Sequence, residues 1–147
     1  MTLPSHRRMH GGYALDDARA RIDFDRVTAW LAGTYWSPGI SRERVEQGAR
    51  HSAVVIGAYL DGVLVGFGRV VSDTTRFAYL SDVFIDDGHR GKGLARAMVA
   101  FALEHPLLGG VDKWCLRTRD AHRVYETLGF EGIRDPEWWM VYTPPRP

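Results

Sequence analysis

The stretch Val83-Phe-Ile-Asp-Asp-Gly-His-Arg-Gly-Lys-Gly-Leu-Ala95 decides the fold of this chain. It begins at the end of an apolar run typical of a buried strand, and it ends where an apolar run with helical spacing starts, from Leu94 to about Glu104. The loop between them is rich in glycine and charge. A strand that turns through glycines into a helix presents unpaired backbone N–H groups and the positive end of the helix dipole, which together bind anions. We therefore expect a phosphate-binding turn.

Two common phosphate-binding motifs do not fit this loop. A nucleotide-binding P-loop needs Lys and then Ser or Thr after its second glycine, but Gly93 is followed by Leu94 and Ala95. A dinucleotide fingerprint needs a third glycine where Arg96 stands. The pattern that fits is Arg/Gln-x-x-Gly-x-Gly/Ala, present as Arg90-Gly-Lys-Gly-Leu-Ala95.

A second motif follows near the C-terminus, Thr118-Arg-Asp-Ala-His-Arg-Val-Tyr-Glu-Thr-Leu-Gly-Phe130. With these two motifs the sequence resembles the GNAT superfamily of acyl-CoA-dependent N-acyltransferases, and the likeness covers residues 54–142. Family members commonly carry Asn where this chain has Thr118, whereas the Ala, Tyr, Gly and Phe agree.

The resemblance implies that the turn cradles the pyrophosphate of coenzyme A and that the preceding strand binds the pantetheine arm through its backbone. It assigns acetyl-CoA as cosubstrate and no metal. The implied cofactor-binding residues are Val83, Phe84, Ile85, Arg90, Gly91, Lys92, Gly93, Leu94 and Ala95.

Amide formation from a thioester requires a neutral amine and a proton for the leaving thiolate. Tyr125, which the resemblance places beside the acyl-CoA sulfur, is a suitable proton donor because its phenol has a pKa near ~10. Asp82, inside an apolar strand, is a candidate base, and alternation puts it on the same face as Leu80 and Phe84. A salt bridge within the fold is an alternative role for Asp82, and His122 is a second candidate base.

The substrate pocket is less well defined by the sequence. Tyr35 and Trp36 lie in the region that the resemblance assigns to the substrate cover, and they suit an amine attached to an apolar or planar body. Trp138 and Trp139 are weaker candidates for a further wall, and all of these aromatic residues could instead belong to the core. Cys115, in a buried strand, is expected to be an inert thiol rather than an acyl carrier.

Apolar patterning predicts an α/β (α+β) fold with a mainly antiparallel sheet of six to seven strands and about four helices. The predicted order is β-α-α-β-β-β-α-β-α-β-β. Asp61-Gly62 predicts a tight hairpin between two of the strands. The first strand is expected around residues 13–15, and the last two near Phe130–Ile133 and Trp138–Thr143. We expect one domain over 1–147, with residues 1–12 and 143–147 as loose termini.

Composition excludes several classes of protein. The 147 residues are 45% apolar and carry a net charge of +1, which argues against disorder and against sequence-independent nucleic-acid binding. A single cysteine rules out an intramolecular disulfide and cysteine-rich zinc sites. The longest apolar run, from Ala97 to Leu103, is too short to span a membrane, and the N-terminus does not read as a signal peptide. We expect a cytoplasmic protein.

The sequence therefore predicts an N-acetyltransferase that moves an acetyl group from acetyl-CoA to a primary amine of a small molecule, by direct attack in a ternary complex. Two alternatives remain open. One is an acyl-CoA-binding regulatory or partner module without turnover, and the other is acetylation of a protein N-terminus or lysine. Association into a homodimer is also left open.

Overall fold

A computed structural model describes residues 5–146 and shows one sheet of six strands in the spatial order of the chain. All neighbouring strands are antiparallel except the last pair, which is parallel. The strands are β1 (Arg7–His10), β2 (Tyr13–Asp16), β3 (Val54–Leu60), β4 (Val63–Ser72), β5 (Phe77–Ile85) and β6 (Lys113–Cys115). A mixed, mainly antiparallel sheet is thereby confirmed.

Four α-helices accompany the sheet: α1 (Phe24–Ala32), α2 (Arg42–Arg50), α3 (Leu94–Leu103) and α4 (His122–Glu126). Asp23 caps α1 by accepting a hydrogen bond from the Arg26 N–H, and Ser41 caps α2 by accepting one from the Arg44 N–H, since Asp and Ser are preferred at this position. Short 3-10 turns occur at Arg19–Arg21, Asp87–His89, Pro106–Leu108 and Pro136–Trp138.

The sheet separates two hydrophobic cores. On one face, Met98 and Phe101 of α3 pack among residues such as Ile56 and Leu80. On the other face, Val27 of α1 and Val45 of α2 pack with residues that include Phe67. Because helices cover both faces, the central strands are apolar on both sides rather than alternating.

Strand β5 contains a β-bulge at the position of Asp82. Arg69 of β4 pairs with Ser81, but Phe67 pairs with Phe84, so that β5 has one residue more than β4 across this interval. Asp82 accordingly has φ +58°. The bulge shifts the alternation: Leu80 packs in the α3 core, whereas Phe84 contacts the α1–α2 core. The expectation that Asp82, Leu80 and Phe84 share one face is therefore wrong.

The two ends of the chain differ from the predicted organisation. Strand β1 lies within the segment 1–12 that was expected to be loose, because the turn at Gly11-Gly12 folds it onto β2. The strands predicted near Phe130–Ile133 and Trp138–Thr143 do not form, and the second of these segments begins at the end of a 3-10 turn. Residues 143–146 have no regular secondary structure, while residues 1–4 and 147 lie outside the described part.

Across residues 5–146, none of the helices combines the length and the apolar character that crossing a bilayer requires. The same part of the chain contains no group of three or more His, Cys, Asp or Glu side chains arranged to hold a metal ion.

Candidate active site

The predicted phosphate-binding turn has the backbone geometry that such a turn needs. Gly91 and Gly93 adopt φ +76° and +73°, in the left-handed region that favours glycine, and Gly93 directly precedes the first residue of α3. The first N–H groups of α3, which have no partner within the helix, therefore open toward the turn.

Contacts with both ends of the turn fix its position. The Arg90 Nε–H donates to the Ile85 carbonyl over 3.0 Å, and Arg90 also forms an ion pair with Asp87. The Lys92 carbonyl lies 3.0 Å from Nε2 of His10, on β1. Arg90 thus holds the loop against the end of β5, and its guanidinium is partly neutralised by Asp87.

A cleft of about 770 Å³ extends from this turn along β5. Pairing between β5 and β6 stops at Tyr79 and Cys115, so that the later part of β5 has an edge toward β6 that no described residue covers. Eight of the nine predicted cofactor-binding residues line the cleft: Val83, Phe84, Ile85, Arg90, Gly91, Gly93, Leu94 and Ala95. Lys92 is the ninth, and it does not line the cleft.

A second cavity of about 830 Å³ adjoins the first. The residues that line both are Tyr35, Trp36, Val83, Arg119, Asp120, Ala121 and Tyr125. The two cavities therefore meet at Val83 and Tyr125, whereas the residues of the glycine turn line only the first cavity.

Tyr125 occupies this junction. Its ring packs edge-on against Phe130, and burial raises the pKa of its phenol above the ordinary value, with further contributions from Tyr35 and Asp120. A phenol with a raised pKa stays protonated at neutral pH, so that Tyr125 can act as a proton donor at the meeting point of the cavities.

The model of the GNAT acetyltransferase family matches residues 17–130 of the sequence. The chain belongs to the GNAT acetyltransferase family. A crystal structure of a GNAT-family protein from Xanthomonas campestris pv. campestris has 33% identity and a TM-score of 0.86, with 90% of this chain and 94% of that chain covered. The family performs acyl transfer and uses acetyl-CoA.

More distantly related solved structures share the fold. An acetyltransferase from Deinococcus radiodurans R1 is 21% identical, with a TM-score of 0.70 over 92% of this chain and 91% of that one. An acetyltransferase from Clostridium acetobutylicum, whose structure was solved with acetyl-CoA, is 16% identical, with a TM-score of 0.65 over 89% and 94%. No curated protein matches the sequence significantly.

In this GNAT domain, each carboxylate oxygen of Asp82 accepts a hydrogen bond from another side chain. One oxygen accepts a hydrogen bond from Trp36 Nε1 at 2.9 Å, and the other accepts from Arg69 Nε at 2.7 Å. The Asp82 side chain is only 9% exposed. These contacts are those of the alternative role for Asp82, a salt bridge within the fold.

Tyr35 and Trp36 lie over the junction of the cavities, in the connection between α1 and α2. The Tyr35 hydroxyl accepts a hydrogen bond from the Arg119 N–H at 2.9 Å, and the Arg119 guanidinium lies 4.0 Å from the centre of the Tyr35 ring. The hydrogen bond from Trp36 to Asp82 links the α1–α2 connection to β5. The contacts of Tyr35 with Arg119 link the same connection to the residues that follow β6.

Thr118, where GNAT members commonly have Asn, accepts a hydrogen bond from the Ala121 N–H at 3.0 Å and so closes the turn before α4. The residue at the N-cap of α4, Ala121, has no side chain that could cap the helix.

The sequence analysis missed several residues of this GNAT site: Arg69, Tyr79, Arg117 and Arg119 line the second cavity. Arg69 lies within β4 and Tyr79 within β5, whereas Arg117 and Arg119 follow β6, so that only the sheet order brings these residues together. Conversely, His122, Cys115, Trp138 and Trp139 line neither cavity. Burial raises the pKa of the Cys115 thiol, in keeping with its predicted inertness.

Proposed function

We propose that the protein transfers an acetyl group from acetyl-CoA to a primary amine of a small molecule. The observation that carries this proposal is the continuous path from the glycine turn, along the unpaired edge of β5, to the half-buried phenol of Tyr125 at the entrance of a second cavity. The path offers separate places for a diphosphate, an extended pantetheine arm and an acceptor.

The cofactor is expected to bind through the backbone. N–H groups at the start of α3 hold the pyrophosphate, and the glycines at 91 and 93 let it approach without a Cβ in the way. Backbone groups of Phe84 and Ile85 orient the arm, since this part of β5 is unpaired toward β6.

Tyr125 is the proposed general acid. The acceptor nitrogen forms a bond to the acyl carbon, the carbon–sulfur bond breaks, and Tyr125 gives its proton to the departing sulfur. The amine reaches the site as an ammonium ion and releases its proton to water in the second cavity, so that no side-chain base is required.

Asp82 then acts as a positioning residue. Its carboxylate fixes Trp36 on one side and Arg69 on the other. These two side chains line the second cavity, which is the proposed acceptor cavity.

The acceptor cavity favours an amine that also carries an anionic group. Arg117 has no carboxylate within ion-pair distance among residues 5–146, and Arg119 has only a long contact of 3.9 Å to the exposed Asp120. Guanidinium groups in this state are suited to bind a carboxylate or phosphate on the acceptor.

Replacement of Asp82 by Asn tests whether this carboxylate positions its neighbours or acts as the catalytic base. We expect the KM for the acceptor to rise about tenfold, because the Arg69 ion pair is lost, while kcat changes less than about threefold and the acidic limb of the pH–rate profile stays in place. Steady-state kinetics from low to high pH measure this. Asp112→Asn, at an exposed aspartate that lines neither cavity, is the matched control. A large fall in kcat with loss of the acidic limb would instead make Asp82 the base.

The function itself is tested by calorimetric titration with acetyl-CoA, followed by a thiol-release assay with paired amines. Each pair consists of an amine with a carboxylate and its carboxamide analogue, and we expect acetyl-CoA to bind and the carboxylate member to have a kcat/KM about tenfold higher. Binding without thiol release from any amine or peptide would favour a non-catalytic module. Release with peptides alone would favour a protein acceptor, and no binding would refute the proposal.

A further inference from the structure

The tip of the β1–β2 hairpin contacts the phosphate-binding turn. His10 and Tyr13 face each other as the last paired residues before the turn at Gly11-Gly12, so that their side chains lie on the same face of the sheet. The Tyr13 hydroxyl lies 2.9 Å from Nδ1 of His89, and the two rings meet edge-on. His10 contacts the loop further along the chain, at the Lys92 carbonyl. The hairpin therefore touches the loop at two points.

The contact of His10 with the turn fixes the tautomer of its imidazole. Nε2 lies 3.0 Å from the Lys92 carbonyl oxygen, and a carbonyl oxygen can only accept a hydrogen bond. Nε2 therefore carries a hydrogen and donates it to this oxygen. A Cβ added to Gly93 would lie 3.6 Å from Nε2 and 3.8 Å from Cε1, so the imidazole rests against the peptide that joins Lys92 to Gly93.

This hydrogen bond orients the peptide group between Lys92 and Gly93. In a planar trans peptide, the carbonyl oxygen and the N–H hydrogen point in opposite directions. Because the oxygen is held on the side of His10, the Gly93 N–H points away from His10. Gly93 lines the cleft, whereas Lys92 and His10 do not, so this donor is presented to the cleft.

The Gly93 N–H is available to a ligand. Among residues 5–146, no backbone carbonyl accepts a hydrogen bond from it. Glycine adopts φ of either sign at little cost, so without the bond from His10 this peptide would be free to rotate and to turn its carbonyl oxygen toward the cleft. An oxygen in that place repels an anion, and the His10 hydrogen bond opposes this rotation.

We propose that His10 is a positioning residue for the cofactor, because it holds the Gly93 N–H toward the diphosphate of acetyl-CoA. The inference rests on the proposed function, which places a diphosphate at the turn. His10 itself stays outside the cleft and acts on the ligand only through the peptide that it orients. His10 and Lys92 lie 82 residues apart in the sequence, so the glycine motif alone does not reveal the contact.

Calorimetric titration of the intact chain with acetyl-CoA tests the proposal. His10→Phe keeps a ring but has no donor, and we expect the Kd to rise about five- to tenfold, because the turn then spends part of its time with the peptide rotated. His10→Ala, which adds no ring that the fold must accommodate, should give the same loss. His10→Gln offers an amide N–H at a similar reach and should return the Kd to within about twofold of the wild type.

Arg8→Ala is the matched control. Arg8 lies on the same strand and forms an ion pair with Glu104, directly after the last residue of α3. Its loss weakens the attachment of β1 to α3 without touching the turn, so the affinity for acetyl-CoA should stay close to that of the wild type. Equal weakening by Arg8→Ala and His10→Phe would show that only the docking of β1 matters.

Amide NMR spectra of the ligand-free proteins give a readout that does not depend on binding. The Gly93 resonance should move in His10→Phe and His10→Ala and return in His10→Gln, while resonances of β3 and α2 stay in place and show that the variants are folded. The proposal is overturned by an unaltered Gly93 resonance, by unaltered affinity in both donor-free variants, or by a failure of His10→Gln to restore binding. A wild type that does not bind acetyl-CoA refutes the proposed function as well, whereas the other outcomes leave that function standing.

Discussion

Gly93→Val removes measurable acetyl-CoA binding, with a loss of affinity of at least about 100-fold expected. Gly93 stands at φ +73°, where a β-branched residue is strained, and it directly precedes the N-terminus of α3. A valine there either displaces the turn or places its methyl groups where the pyrophosphate is proposed to lie. Calorimetric titration with acetyl-CoA measures the loss, and thermal unfolding verifies that the variant is folded.

Gly88→Val is the matched control for this prediction. Gly88 belongs to the same loop but has no positive φ, a Cβ added there meets nothing within 4 Å, and it does not line the cleft. We expect its affinity to stay close to that of the wild type. Equal affinities of the folded Gly93→Val and Gly88→Val proteins would show that the turn does not bind the cofactor.

Tyr125→Phe is expected to lower kcat at least tenfold, within the range of about 10²–10⁴ that general acid catalysis commonly contributes. Acetyl-CoA affinity should change little, because the ring and its packing against Phe130 are retained. Tyr79→Phe, which removes a hydroxyl from the acceptor cavity but not from the junction, is the control. An unaltered kcat in Tyr125→Phe would exclude Tyr125 as the acid.

The pH dependence of this variant gives a second readout. The pKa of Tyr125 is raised above 10, mainly by burial, so that the wild-type rate should rise with pH as the acceptor amine loses its proton. The rate should fall again only above about pH 10, where Tyr125 ionises and can no longer donate. In Tyr125→Phe the alkaline fall should be absent.

The parts of the fold that depend on neighbouring residues were predictable from the sequence. The Asp61-Gly62 hairpin forms as expected, because it depends on contacts within a few residues. The bulge at Asp82 was missed, since it exists only in the pairing of β5 with β4. Strand β1 was missed because its sequence, Arg-Arg-Met-His, lacks strand-type residues, although Gly11-Gly12 is a hairpin signal.

The candidate site likewise contains a part that was predictable from local sequence and a part that was not. The glycine turn is a local motif, and its backbone has the geometry that the motif indicates. The acceptor cavity is assembled from β4, the connection between α1 and α2, and the residues after β6, which lie far apart in sequence. Arg69 and Arg117 come together there only through the sheet order. The C-terminal strand pattern of residues 138–143 has no strand partner among residues 5–146.

The additional residue at the β5 bulge makes this strand sensitive to length. Removal of a single residue, such as Ser81, would restore continuous pairing with β4 and would place Asp82 opposite Arg69, while Phe84 stays opposite Phe67. Asp82 would then lose its conformation at φ +58°, from which its carboxylate now reaches both Trp36 and Arg69 at the cavity. Proteins that descend from this chain are therefore expected to vary β5 by substitution and to preserve the number of residues between Arg69 and Gly91.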